Sequence, residues 1–97
     1  MELSPRETEL NGVWEVKDGR AESDATEKRI HWLLAHSLRR VASTSGGWQI
    51  LYIDPKDDRY WELTFPHGEM HGGGPQRLRV LSDGEAIATY HLDRDNF

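Results

Sequence analysis

Apolar residues recur at spacings of three and four between Ala25 and Thr44. Ile30, Leu33, Leu34, Leu38, Val41 and Ala42 would share one stripe of a helix over that range. Ser23 or Asp24 can cap its start, and Asp24 with Glu27 three residues on resembles a capping box. Arg39 and Arg40 would sit in its last turns, and Ser45-Gly46-Gly47 would end it. Trp32, His36 and Arg39 fall off the stripe. Upstream, Val13 to Val16 reads as a short strand. Asp18-Gly19 then centres a turn into a second short strand at Arg20 to Glu22. Downstream, Trp48–Asp54 and Arg59–Phe65 are rich in β-branched and aromatic residues. The turn-forming run Asp54-Pro55-Lys56-Asp57-Asp58 separates them, which predicts an antiparallel hairpin. Gln76–Leu81 alternates Leu78 and Val80 with Arg77 and Arg79, as a last strand would. Ser82-x-x-Glu85 is a capping box opening a short helix from Asp83 to about His91.

These elements predict an α+β fold. A small, mainly antiparallel sheet of about four strands would carry one long helix on a face, with a short C-terminal helix. At 97 residues the chain has the length of one domain with a thin core. A single domain over residues 1–97 is expected, with 1–11 and 92–97 loosely ordered. The expected core is Ile30, Leu34, Leu38, Val41, Ile50, Trp61, Leu63, Leu78 and Val80.

Charge narrows the partners. Twelve basic and 17 acidic residues give a net charge of −5, which argues against a nucleic acid backbone as ligand and suits a basic protein surface. There is no Cys, so disulfides, thiolate catalysis and Cys-based zinc sites are excluded. The opening MELSPRETEL does not read as a signal peptide, and no apolar run reaches membrane-spanning length. A cytoplasmic protein with no membrane partner is expected.

Candidate chemistry concentrates in RYWELTFPHGEMHGGGP, residues 59–75. A strand breaks at Pro66 into a loop with ionisable groups and three consecutive Gly. A tight bend explains Gly72, Gly73 and Gly74 as readily as ligand binding does. They lack the Lys-Ser/Thr end of a phosphate loop. His67, Glu69 and His71 stand at i, i+2 and i+4, so an extended segment would point all three to one side. This leaves open a small metal-dependent or acid–base enzyme, against the plainer role of hydrogen bonding to loop backbone. Asp54, Asp57, Asp58, Glu62 and Glu69 form a local acidic excess that is either a negative patch or a solvated turn. His31 and His36, five apart, share no helix face, and no Ser sits in a nucleophile elbow.

MELSPRETELNGVWE, ESDATEKRIHWLL, GGWQILYIDPKDDRYWELTFP and EMHGGGPQRL together resemble immunity protein family 27 of bacterial polymorphic toxin systems. The resemblance covers about residues 1–90 and is sharpest over Asp57–Thr64 and Glu69–Pro75. It implies a cytoplasmic antidote that binds a cognate toxin domain encoded by an adjacent gene and has no cofactor or chemistry of its own. A nuclease, with its basic cleft, is the kind of toxin that the acidity would suit. The contact surface expected from the residues is Asp54, Asp57, Asp58, Tyr60, Glu62, Glu69 and His71. Tyr52 or Tyr60 would be its aromatic anchor.

Overall fold

The computed structural model describes residues 2–44, 46–66 and 74–92. Among these, seven strands and two helices follow in the order β1 (Glu9–Asn11), β2 (Trp14–Lys17), β3 (Arg20–Ser23), α1 (Ala25–His36), β4 (Arg39–Ser43), β5 (Gln49–Asp54), β6 (Arg59–Thr64), β7 (Arg77–Leu81) and α2 (Asp83–Tyr90). A five-stranded antiparallel sheet has the order β1-β7-β6-β5-β4, and β2 with β3 forms a separate hairpin. The hairpin turn uses left-handed Asp18 (φ 51°) and Gly19 (φ 78°), as the Asp-Gly signal requires. The α+β class with a mainly antiparallel sheet and a short C-terminal helix holds.

The first helix is shorter than its apolar spacing implies. It stops at His36, where the amides of Ser37 and Leu38 both donate to the Leu33 carbonyl (2.9 and 2.8 Å). Arg39–Ser43 then leaves the helix and joins β5 as the sheet's fifth strand. Leu38, Val41 and Ala42 satisfy a helical spacing, but the open edge of β5 offers that segment a ladder of hydrogen bonds. A register shift between Arg40 and Ala42 lets Val41 and Ala42 pack against the same apolar cluster. Arg39 and Arg40 mark an exposed sheet edge, not a helix end, and charge there discourages edge-to-edge pairing.

Strand alternation divides the core in two. Trp61 and Leu63 of β6, with Leu78 of β7 and Leu10 of β1, pack against Ile30 and Leu33 of α1. Tyr60, Leu51 and Leu81 point the other way and pack against Ala86 and Tyr90 of α2. The helices therefore lie on opposite faces of the sheet. Leu33, not Leu34, is the fully buried leucine of α1; Leu34, Val41, Ile50 and Val80 are half-buried.

Residues 2–11, expected to be loose, are tied down. Leu3 is 2% exposed, and Leu10 pairs with Leu78. Arg29 of α1 donates to both Glu7 carboxylate oxygens and to the Glu2 carbonyl. Arg59 donates to the Glu7 and Ser4 carbonyls, and Lys56 to that of Leu3. Those bonds from Arg29 hold the Glu7 carboxyl down to about 2, from 4.5.

Two predictions follow from this packing. Leu33→Ala should cost about 2–5 kcal/mol in urea denaturation, and Leu34→Ala distinctly less. The Glu7 contact, with its depressed folded value, should contribute fully above about pH 4.5 and be lost as pH falls toward about 2. In that window the urea midpoint of Glu7→Gln should fall less steeply with acid than that of the parent.

Candidate functional site

The acidic residues singled out from the sequence divide sharply once folded. Asp54 is 1% exposed. Its Oδ1 accepts the Lys56 amide (3.0 Å) and its carbonyl accepts the Asp58 amide (2.7 Å), so it organises the β5–β6 turn from inside. Asp57 accepts from the Arg59 backbone and side chain. Burial pushes its carboxyl up, but the Arg59 hydrogen bonds outweigh that and hold it below its ordinary value. Asp58 occupies the left-handed region (φ 60°) and is exposed.

Tyr60 and Glu62 are buried, which corrects their expected place on a contact surface. Glu62 accepts a 2.7 Å hydrogen bond from the Tyr90 hydroxyl and lies 3.6 Å from Arg79. Burial, then the Glu62 contact, pushes the Tyr90 hydroxyl well up. Burial also raises the Tyr60 hydroxyl, with Asp83 and Asp58 adding to it. His67, Glu69, His71, Gly72 and Gly73 lie outside the described residues. Gly74 has φ 71°, the left-handed backbone that favours Gly.

A second site was not legible as such. An open cleft of about 150 Å³ lies between α1, the β2–β3 hairpin and the start of β7. Trp14, Ser23, Glu27, His31, Phe65, Gly74 and Gln76 line it. Glu27 is 2% exposed. Its Oε2 accepts the Gln76 amide at 2.9 Å, and its Oε1 lies 3.3 Å from Nε2 of the half-exposed His31. The Gln76 side-chain oxygen is buried without a hydrogen-bond partner among the described residues. Phe65 meets the exposed Trp48 edge-on, with ring centres 5.3 Å apart. No hydrogen bond joins Ser23 to His31 among the described residues.

The Asp24–Glu27 spacing predicts a capping box, and only half of one forms. Asp24 accepts the Glu27 amide (2.8 Å), as an N-cap should. The Glu27 side chain, however, reaches across to Gln76, and the Asp24 amide donates to the Val13 carbonyl instead. Ser82 and Glu85 form the complete box. Glycine at position 12 permits the Glu27 reach: an added Cβ would lie 1.8 Å from Glu27 Oε2 and 2.9 Å from the Gln76 carbonyl oxygen. The Asp24–Glu27 spacing was the visible signal; Gly12 and Gln76 carried none.

The model of the Immunity protein 27 family matches residues 16–82, well over half of the chain. The chain belongs to that family. The match runs from β2 to the cap of α2 and includes every residue around the cleft except Trp14. No curated protein matches the chain, and no solved structure does. No described helix is long and apolar enough to cross a membrane.

Gly12→Ala should destabilise this family member by roughly 1–3 kcal/mol, through the overlap with Glu27. Glu27→Ala should cost a similar amount by leaving the Gln76 amide unpaired. The double variant should cost less than the sum of the two, because the closest overlap disappears with the carboxylate. A chemical-denaturation mutant cycle measures this coupling.

Proposed function

We propose that this chain is a cytoplasmic immunity protein that binds a cognate toxin domain, encoded by an adjacent gene, and neutralises it in a stoichiometric complex without chemistry of its own. The observation that carries the proposal is membership of the Immunity protein 27 family across residues 16–82. The surface chemistry supports it. Val13, Val16 and Trp48 are large apolar side chains left exposed, and the net charge is −5. Exposed aromatics supply binding energy at interfaces, while unpaired acidic groups steer a basic partner and accelerate encounter. A nuclease toxin, with a basic substrate cleft, fits that field.

The proposed contact surface keeps Asp57 and Asp58 at the turn, together with Glu69 and His71. Asp54, Tyr60 and Glu62 would support it from beneath. With Tyr60 buried, the aromatic anchor passes to the exposed Trp48.

The test is to co-express the parent protein with the toxin domain of the adjacent reading frame and to follow their association by stopped flow. The parent should protect the cell and form a 1:1 complex. Asp58→Asn combined with Glu69→Gln should slow association several-fold at low salt, with the difference shrinking as salt rises. Asn is chosen at position 58 because it tolerates the left-handed backbone. A parent that neither binds nor protects would sink the immunity reading. Identical association rates and salt dependence would place the acidic contacts elsewhere.

A further inference from the structure

The cleft beside Glu27 has a chemistry that the turn does not. We infer that it is a receptor for one cationic side chain, an arginine or lysine projecting from the bound toxin domain; that choice of partner rests on the immunity reading above.

The acceptor set points to a cation. Glu27 brings a carboxylate that is 2% exposed, and an ionised carboxylate only accepts hydrogen bonds. One oxygen is held by the Gln76 amide at 2.9 Å. The other lies 3.3 Å from the His31 ring, a contact that a half-exposed side chain gives up by rotating. Gln76 adds a buried side-chain oxygen with no partner among the described residues, and buried acceptors are rarely left so. Among the described residues, no Lys or Arg lines the cleft. Of the two cations that follow Glu27 on the helix, Lys28 is exposed and outside the cleft lining, and Arg29 is engaged with Glu7 and Glu2. The positive end of the α1 dipole opposes a cation here, but Asp24 at the N-cap and Glu27 in the first turn place two carboxylates at that same end.

Shape and walls agree with charge. A volume of about 150 Å³ falls below the roughly 300–1,000 Å³ of small-molecule sites. It suits the head of one long side chain. Trp14 and Phe65 present aromatic surface to such a head, and a guanidinium gains from lying over an aromatic face. Outside them the exposed Trp48, edge-on to Phe65, extends the apolar rim. A desolvated charged pair ringed by aromatics is the arrangement that concentrates binding energy at interfaces.

Two measurements test the receptor separately from the immunity reading. Titration of the isotopically labelled parent with ethylguanidinium should give saturable NMR shifts at the Trp14 indole, His31 and the Gln76 side-chain amide. Glu27→Gln, which keeps an acceptor for the Gln76 amide but removes the charge, should abolish them. Absence of saturable shifts in the parent overturns the receptor whatever the toxin does. The second measurement is calorimetric affinity for the adjacent-frame toxin domain. His31→Trp fills the cleft from an exposed position and should weaken binding tenfold or more with an unchanged melting temperature. Toxin affinity unchanged in both His31→Trp and Glu27→Gln overturns the receptor while the parent's binding leaves the immunity reading standing. A parent that takes up ethylguanidinium but ignores the toxin overturns the assignment of the toxin as donor.

Discussion

The junction of Glu27, Gln76 and Gly12 is the constraint around which this small fold is arranged. The Glu27 carboxylate leaves the first turn of α1 and takes the backbone amide of Gln76, 49 residues away. The Gln76 carbonyl in turn takes the Gly12 amide at 2.8 Å, which carries the β1–β7 pairing one residue past its last paired position. One side chain therefore holds the start of the helix, the exit from β1 and the entry to β7 together. A charge with this little exposure is costly unless its lone pairs are occupied, so it fixes the distance between these elements. The absence of a side chain at Gly12 is a condition of the junction.

A second set of polar contacts works from the basic residues. Arg29, Arg59 and Lys56 stitch the N-terminal segment to α1, β6 and the β5–β6 turn through main-chain carbonyls and Glu7. Arg59 also lies over the Trp61 ring at 5.0 Å. This has a consequence for the surface. Asp54, Glu62 and Glu27 are buried, and Glu7, Glu9 and Asp57 are paired with arginines. Pairing leaves the net charge of −5 unchanged, but at the turn Asp54 is buried and Asp57 is held by Arg59, so Asp58 is the exposed carboxylate there.

For an immunity protein the division of labour is chemically sensible. In the proposed complex, charges at the turn would act at long range and set how quickly a partner arrives. The buried carboxylate of the aromatic-walled cleft would act only in contact and would set which partner stays. Both elements lie inside the region that defines the family, between β2 and the cap of α2.

The sequence by itself determined the features encoded over a few residues. The Asp-Gly turn of the β2–β3 hairpin, the β5–β6 hairpin, the Ser82–Glu85 capping box and the burial of Trp61, Leu63 and Leu78 all follow from local spacing and residue type. The α+β class followed from the same signals, and the family from the resemblance of whole segments. Tertiary structure decided the rest. Leu38, Val41 and Ala42 fit a helix and a strand alike, and only the open edge of β5 made the strand the better outcome. Glu27 could bond back to its own helix cap, and only the proximity of Gln76 drew it away. Asp54, Tyr60 and Glu62 looked like surface because alternation cannot say that α2 and an inward-folded turn will cover them. Each of these choices depends on a partner distant along the chain, and local periodicity carries no information about which distant groups chain folding brings within hydrogen-bond reach.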